Sequence, residues 1–135
     1  MGSISCIGNN LEEISNSLRQ GISGISKNDE YNNLGFRSKV SGSILIDLKD
    51  LIDRKLFRFM GEAAAYSYLS ALDALSDAKL PESIFETDRI GVIAGSGGAS
   101  SRSQVDAADI LREKGVKRVG PYRVTQTMGL SLIHI

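Results

Sequence analysis

A nucleophilic thiol is the first chemistry to consider, because the chain holds one cysteine, Cys6, and one histidine, His134. A reactive thiolate needs a basic partner or a helix N-terminus that lowers the pKa of the thiol. The two residues stand at opposite ends of the sequence, and no lysine or arginine lies close to Cys6 along the chain. We therefore predict that Cys6 is a small loop residue and that the chain has no cysteine–histidine catalytic pair.

The glycine turn Gly95-Ser96-Gly97-Gly98 could hold a phosphate group with its backbone amides. The dinucleotide-binding fingerprint places its third glycine three residues after the second, and a P-loop also requires a lysine. Here the third glycine comes too early and the lysine is missing. A tight turn is the favoured interpretation, and a small phosphate-binding module is the alternative.

Three basic residues, Arg54, Lys55 and Arg58, form a cluster at positions i, i+1 and i+4. A solvated helix face is the ordinary explanation for such spacing. Four apolar residues share the same turn: Leu56, Phe57, Phe59 and Met60. An apolar patch with a basic rim is also typical of a surface that docks a partner, so both interpretations stay open.

Carboxylates and metal ligands are the remaining candidates. The adjacent Glu12 and Glu13 fall at a predicted helix start, where capping and the helix dipole explain them. No spacing of His, Cys, Asp or Glu in the sequence matches a metal site. We expect neither a bound metal nor another cofactor.

The stretch 51–98 organises the elements that must position these candidates. Residues 61–78 are rich in Ala and Leu and lack Pro, which predicts a helix. Its polar residues form one narrow stripe, so we expect this helix to be buried. The apolar run 90–94 predicts a buried strand that leads into the glycine turn. A buried helix followed by a buried strand indicates an α/β layered fold.

Capping residues predict two further helices. Asn10 and Glu13 form a capping box at the start of the first, and Gly21 is well placed to end it. Ser101 and Gln104 form a second capping box, opening a helix that ends before glycine 115. Residues 27–35 predict a polar surface loop, 40–46 a short strand interrupted by a glycine, and 116–123 a basic loop.

Composition excludes several classes of protein. Sixteen basic and sixteen acidic residues give a formal net charge of zero, so no global charge argues for nucleic acid or an anionic membrane. No apolar run approaches transmembrane length, and no basic start with a following apolar core predicts a secretion signal. A single cysteine fits a reducing compartment, so we expect the cytoplasm.

Six short motifs follow one another along the chain: Met1–Asn10, Gly21–Ile25, Leu51–Lys55, Arg58–Met60, Ile93–Gly98 and Val119–Tyr122. In this order they resemble the β-ketoacyl-acyl-carrier-protein synthases. Ile52-Asp-Arg-Lys55 with Arg58-Phe-Met60 looks most like the type I elongating enzyme of bacterial fatty acid synthesis. We expect residues 1–129 to be the N-terminal portion of such a domain.

The resemblance implies an α/β fold, the N-terminal and incomplete part of a thiolase-like α-β-α-β-α arrangement of layers. It implies an acyltransferase of lipid metabolism that works as a homodimer and extends acyl chains by decarboxylative condensation with malonyl carrier protein. The family's nucleophilic cysteine and two histidines lie downstream of the Val119–Tyr122 motif and have no counterpart here. We predict that the chain alone is inactive.

The resemblance also implies roles for six residues that are present. Arg54, Lys55 and Arg58 match the basic surface that receives the acidic acyl carrier protein. Gly98, Gln104 and Met128 match positions near the acyl pocket or the dimer interface.

Both ends of the chain depart from the family pattern. The first strand of the family, which should precede Met1, is missing, as are the C-terminal two thirds, so we expect a fragment that folds poorly alone. Residues 130–135 match the in-frame translation of a transposon-end sequencing adapter, so we expect a non-native tail. A type II or polyketide ketosynthase and a non-catalytic carrier-protein-binding domain remain alternatives.

Overall fold

The computed structural model describes residues 1–128, so the predicted boundary at 129 and the predicted tail 130–135 lie outside the described residues. In chain order, the elements are α1 (Leu11–Gln20), β1 (Ile25–Lys27), α2 (Asp29–Asn33), β2 (Val40–Gly42), α3 (Leu48–Leu51), α4 (Arg54–Phe57), α5 (Glu62–Ala78), a 3₁₀ turn (Glu82–Glu86), α6 (Ser101–Lys114), a second 3₁₀ turn (Val116–Arg118) and α7 (Tyr122–Thr127). Among the helices of this described part, none combines the length and the apolar character needed to cross a membrane.

Helix α1 begins and ends where its capping residues predict. The side-chain oxygen of Asn10 accepts a hydrogen bond from the Glu13 amide at 2.9 Å. The Glu13 carboxylate in turn accepts from the Asn9 amide and from the Asn10 side chain, both at 2.8 Å. Gly21 ends the helix with a φ of 66°, a left-handed conformation that glycine adopts without steric cost. The helix is therefore well defined at both ends, although Leu18 on its apolar face is 68% exposed.

Strands β1 and β2 form an antiparallel hairpin with Ile25 opposite Gly42 and Lys27 opposite Val40. The predicted strand 40–46 thus ends at Gly42, and the predicted loop 27–35 contains helix α2. Asn28 starts this helix by accepting a hydrogen bond from the Tyr31 amide at 3.1 Å. Both predictions were wrong in part, because they relied on polarity and periodicity and overlooked a capping asparagine and a cross-strand partner.

Helix α5 supplies two residues of the small core. Its buried Ala64 and Ala65 pack with Leu48, Ile52 and Met60. The helix itself confirms the prediction, but its expected burial on nearly every face is wrong: Leu72, for example, is 44% exposed. Within residues 1–128 too little chain lies over its outer face to cover it.

The predicted buried strand at 90–94 is also wrong in this structure. Residues 90–99 form neither strand nor helix, and Val92 and Ile93 are 77% and 103% exposed. A strand needs a neighbour to satisfy its backbone N–H and C=O groups. The sheet found within residues 1–128 contains β1 and β2 alone, so this run has no such neighbour there. The glycine turn that follows is open, since a Cβ on Gly95 or Gly97 would meet nothing within 4 Å.

Helix α6 starts one residue earlier than predicted. Ser100, not Ser101, caps it by accepting a hydrogen bond from the Ser103 amide at 3.3 Å. Gln104 takes no part in a capping box, while Gly115 follows the last residue as expected. The predicted basic loop 116–123 is mostly helical, because it holds the second 3₁₀ turn and the start of α7.

Candidate functional site

The basic turn, defined as residues 53–59, is built on the single helical turn α4. Asp53 caps it, with its side chain accepting from the Lys55 amide at 2.7 Å. The Asp53 carbonyl also accepts from the amides of Leu56 and Phe57 at 3.0 and 2.9 Å. Ile52 and Met60, on either side, are only 3% and 6% exposed. Two buried anchors therefore hold a short helix whose other side faces solvent.

All three predicted docking residues project from this turn into solvent. Among the side chains described within residues 1–128, no carboxylate lies at ion-pair distance from Arg54, Lys55 or Arg58. Asp53 is the one acidic residue among residues 53–59, so the turn keeps an excess of positive charge that can act at long range on an approaching anionic partner.

Arg58 is held differently from its two neighbours. Its guanidinium carbon lies 4.9 Å from the ring centroid of Phe59 and 4.8 Å from that of Tyr122. The two rings meet edge to face, with centroids 4.9 Å apart. Cations are attracted to aromatic faces at such distances. The structure thus brings Arg58 into a cage with Tyr122, a residue that the sequence analysis gave no role.

Helix α7 is the element of this candidate site that sequence reasoning missed. Tyr122 is its first residue and follows Pro121, and proline is favoured at the start of a helix because its φ suits the first turn. That proline was the available signal for a helix at this position. The contact between Tyr122 and Arg58 spans 64 residues, however, and no local pattern encodes it.

The second predicted group, Gly98, Gln104 and Met128, gathers around the start of α6. The Ser100 amide, two residues after Gly98, donates to the Thr127 carbonyl at 3.1 Å. Gln104 lies one helical turn beyond Ser100, and Met128 follows Thr127 directly. The structure therefore places the three residues in one neighbourhood, with Gln104 and Met128 exposed. Their role at an acyl pocket or dimer interface stays a prediction.

A cavity of about 550 Å³ opens beside α5 and is lined in part by Phe57, Glu62, Tyr66 and Arg102. Arg102 on α6 donates to the Glu62 carboxylate at 2.7 Å, which ties α6 to the first turn of α5. Burial, and secondarily the negative charge of Glu62, raise the pKa of Tyr66, while the charge of Arg102 opposes that rise. The hydrogen bond to Glu62 is the main cause that raises the pKa of Arg102.

Tyr66 gives a testable pH dependence. Because its pKa is raised in the folded chain, the folded state binds this proton more tightly than the unfolded state does. The resulting stabilisation is complete below the ordinary tyrosine pKa of about 10 and is lost as the pH rises above it. Measured in a folded full-length protein that contains residues 1–128, the difference in ultraviolet titration between the parent and its Tyr66→Phe variant should show a midpoint above the ordinary tyrosine value of about 10. In guanidinium, which unfolds the protein, the midpoint should return to about 10. A midpoint of about 10 in native buffer as well would refute the assignment.

Cys6 packs against the β-hairpin. The sulfur of Cys6 lies close to two glycines. A Cβ placed on Gly24 would come within 2.8 Å of this sulfur, and one on Gly42 within 2.9 Å. Residues 24 and 42 must therefore remain small for the thiol to keep this place. His134 lies outside the described residues.

A family model described as the N-terminal domain of β-ketoacyl synthase matches residues 1–132 of the chain. The chain is 48% identical over 132 residues to 3-oxoacyl-[acyl-carrier-protein] synthase 1 of Haemophilus influenzae, a match that spans 97% of the chain and 32% of the relative. The enzyme of the same name from Escherichia coli K12 is 48% identical over 130 residues, or 95% of the chain and 32% of the relative. The chain thus spans about a third of the length of these relatives.

The type 1 relatives are more similar to the chain than a type 2 enzyme is. A 3-oxoacyl-[acyl-carrier-protein] synthase 2 from Staphylococcus aureus is 31% identical over 125 residues, which are 92% of the chain and 31% of that relative. The type II alternative is therefore not favoured. Because the family model spans nearly the whole chain, a synthase is also favoured over an independent phosphate-binding module.

Solved structures show the same fold. A type II polyketide ketosynthase in complex with its acyl-carrier protein superposes with a TM-score of 0.73 at 21% identity, covering 98% of this chain and 35% of that one. A β-ketoacyl synthase from Burkholderia phymatum gives a TM-score of 0.70 at 23% identity, covering 98% and 33%. The predicted fold class, part of a thiolase-like ketosynthase, is confirmed.

Proposed function

The chain belongs to the β-ketoacyl synthase family, and we propose that it is the N-terminal third of a type I 3-oxoacyl-acyl-carrier-protein synthase. The observation that carries this proposal is the 48% identity to the Haemophilus influenzae enzyme across 132 residues. The complete enzyme would extend an acyl thioester by two carbons, using malonyl carrier protein that loses carbon dioxide as it attacks. It is an acyltransferase of fatty acid biosynthesis.

The part of this activity assigned to the present residues is carrier-protein docking at the basic turn. Arg54 and Lys55 present positive charge to solvent from a turn that is anchored on both sides, and Arg58 adds a third charge beside an aromatic pair. Acyl carrier proteins are acidic, and complementary charge speeds encounter and fixes orientation. One structural neighbour is a ketosynthase in complex with its acyl-carrier protein, which supports the same class of partner.

Assembly and location complete the proposal. We place Gly98, Gln104 and Met128 at the acyl pocket or at the interface of a homodimer, a role supported by their grouping at the start of α6. Apolar residues exposed nearby, such as Val105 at 58% and Val124 at 62%, would be covered by such an assembly. A single cysteine and a net charge of zero are in keeping with a cytoplasmic enzyme.

The proposal is tested with a completed enzyme, in which residues 1–128 replace the matching third of the Haemophilus influenzae relative. With acyl and malonyl carrier proteins, the completed enzyme should form the ketoacyl product. The 135-residue chain alone should give neither acylated protein nor product, because its single cysteine and single histidine supply no activated nucleophile.

Two outcomes would count against the proposal. One is an inactive completed enzyme that nevertheless folds and forms the same oligomer as the relative. The other is acylation of Cys6 in the isolated chain at a rate above that of an ordinary thiol.

A further inference from the structure

Helix α7 approaches residues 58–61, at the carboxyl end of the basic turn and just beyond it, at three points. The Gln126 side chain donates a hydrogen bond to the Arg58 carbonyl at 2.9 Å. The Tyr122 ring covers the Arg58 guanidinium at 4.8 Å. The Gln126 carbonyl lies so close to Gly61 that a Cβ there would come within 2.6 Å of it. Backbone and side chain of residues 58–61 are thus both held by one helix.

Gln126 uses both ends of its amide. While its nitrogen donates to the Arg58 carbonyl, its oxygen accepts from the Arg123 guanidinium at 3.3 Å. The carbonyls at the end of a helix have no partner within that helix, so an external donor is needed to satisfy them. The amide of Gln126 supplies that donor and is itself oriented by Arg123.

The basic turn requires such support because α4 is only four residues long. A helix of one turn is not stable by itself in water, because the free-energy cost of nucleating a helix exceeds the stabilisation that the hydrogen bonds of one turn provide. Asp53 and the buried Ile52 fix its amino end, and α7 fixes its carboxyl end. A mobile turn would have to be ordered each time a partner binds, which weakens binding.

We propose that Tyr122 and Gln126 are positioning residues for carrier-protein docking: they hold Arg58 and the end of α4 so that the three charges of the basic turn are presented in one arrangement. The proposal rests on the docking role proposed above. Neither residue needs to touch the partner, because each acts through Arg58.

The test compares variants of the completed enzyme by their KM for carrier-bound substrate and by self-acylation from acyl-coenzyme A. Tyr122→Leu should raise that KM by about threefold to tenfold, as expected when one or two side chains must be immobilised on binding. Tyr122→Phe keeps the ring and should restore the original KM. Gln126→Met, which removes the donor at similar size, should act in the same direction as Tyr122→Leu. Acyl-coenzyme A, which has no carrier protein to dock, should react normally with all variants.

A matched control comes from the second aromatic pair of the described chain. Tyr31 and Phe36 have ring centroids 5.2 Å apart, and no residue of the basic turn forms a cation–π contact with either ring. Tyr31→Leu removes the same side chain from a comparable pair and should leave the KM unchanged. Thermal unfolding of each variant separates a loss of folding from a loss of positioning.

A background with Arg54, Lys55 and Arg58 all changed to Ala separates positioning from a direct role. If Tyr122 acts through these charges, Tyr122→Leu should change the KM little in that background. An equal rise in both backgrounds, or an equal loss with acyl-coenzyme A, would overturn the proposal. If charge reversal at Arg54 and Lys55 raises the KM and Tyr122→Leu does not, positioning fails while docking stands. If charge reversal itself has no effect, the docking function fails.

Discussion

Reversing Arg54 and Lys55 to Glu in the completed enzyme should raise the KM for carrier-bound substrates by about a hundredfold at low ionic strength. An exposed ion pair contributes up to about 1 kcal/mol, and a like-charge contact costs a similar amount. Two reversals therefore change the docking free energy by up to about 4 kcal/mol. A change of about 2.8 kcal/mol already corresponds to two powers of ten. Arg58 is left unchanged, because its guanidinium also packs against the rings of Phe59 and Tyr122. Substituting Arg58 would remove this packing together with the charge, and the two effects could not be separated.

Salt and substrate identity make this result specific. Screening shortens the range of exposed charges to about 10 Å at 0.1 M salt, so the hundredfold effect should shrink steadily as salt is added. Self-acylation from acyl-coenzyme A should be nearly unaffected, because the chemistry lies elsewhere in the enzyme.

The matched control reverses two other exposed arginines, Arg19 and Arg89, which changes the net charge by the same amount. This variant should keep the KM within about twofold, since most surface charges contribute little. Should both double variants raise the KM alike, net charge and not the basic turn would explain the effect. Equal losses with carrier-bound and small thioesters would instead assign Arg54 and Lys55 to the fold.

The isolated 135-residue chain should lack a sharp, cooperative unfolding transition. Its accessible surface is 10345 Å², whereas a folded monomer of its 14.5 kDa mass exposes about 6900 Å². Five hydrophobic residues are buried in its described part: Leu48, Ile52, Met60, Ala64 and Ala65. Burial of apolar surface is the main favourable contribution to folding, and so small a core cannot offset the conformational entropy of the chain.

Calorimetry and dye binding measure this prediction directly. The isolated chain should give a broad or absent heat-absorption peak, bind a hydrophobic dye such as anilinonaphthalene sulfonate, and associate with rising concentration. The completed enzyme, which covers these apolar surfaces, should give a sharp peak and little dye binding. A narrow cooperative transition from a soluble monomer of the isolated chain would contradict the prediction.

Local structure was predictable because its determinants lie a few residues apart. Asn10 and Glu13, three residues apart, form hydrogen bonds with each other. Gly21 and Gly115 end their helices because glycine readily adopts a positive φ. The Ala- and Leu-rich run of α5 likewise has helical propensity built into each residue. The order of the six short motifs was sufficient to identify the family, because comparing motifs along a sequence requires no knowledge of tertiary contacts.

Burial and long-range contacts were decided by the tertiary structure alone. The run 90–94 has the composition of a buried strand, but a strand forms only when another segment satisfies its backbone, and residues 1–128 place none beside it. The sequence alone indicates that Arg58 is one of three equivalent surface charges. The fold makes it different by bringing Tyr122 and Gln126 against it from 64 and 68 residues away, and no spacing within the basic turn encodes that contact.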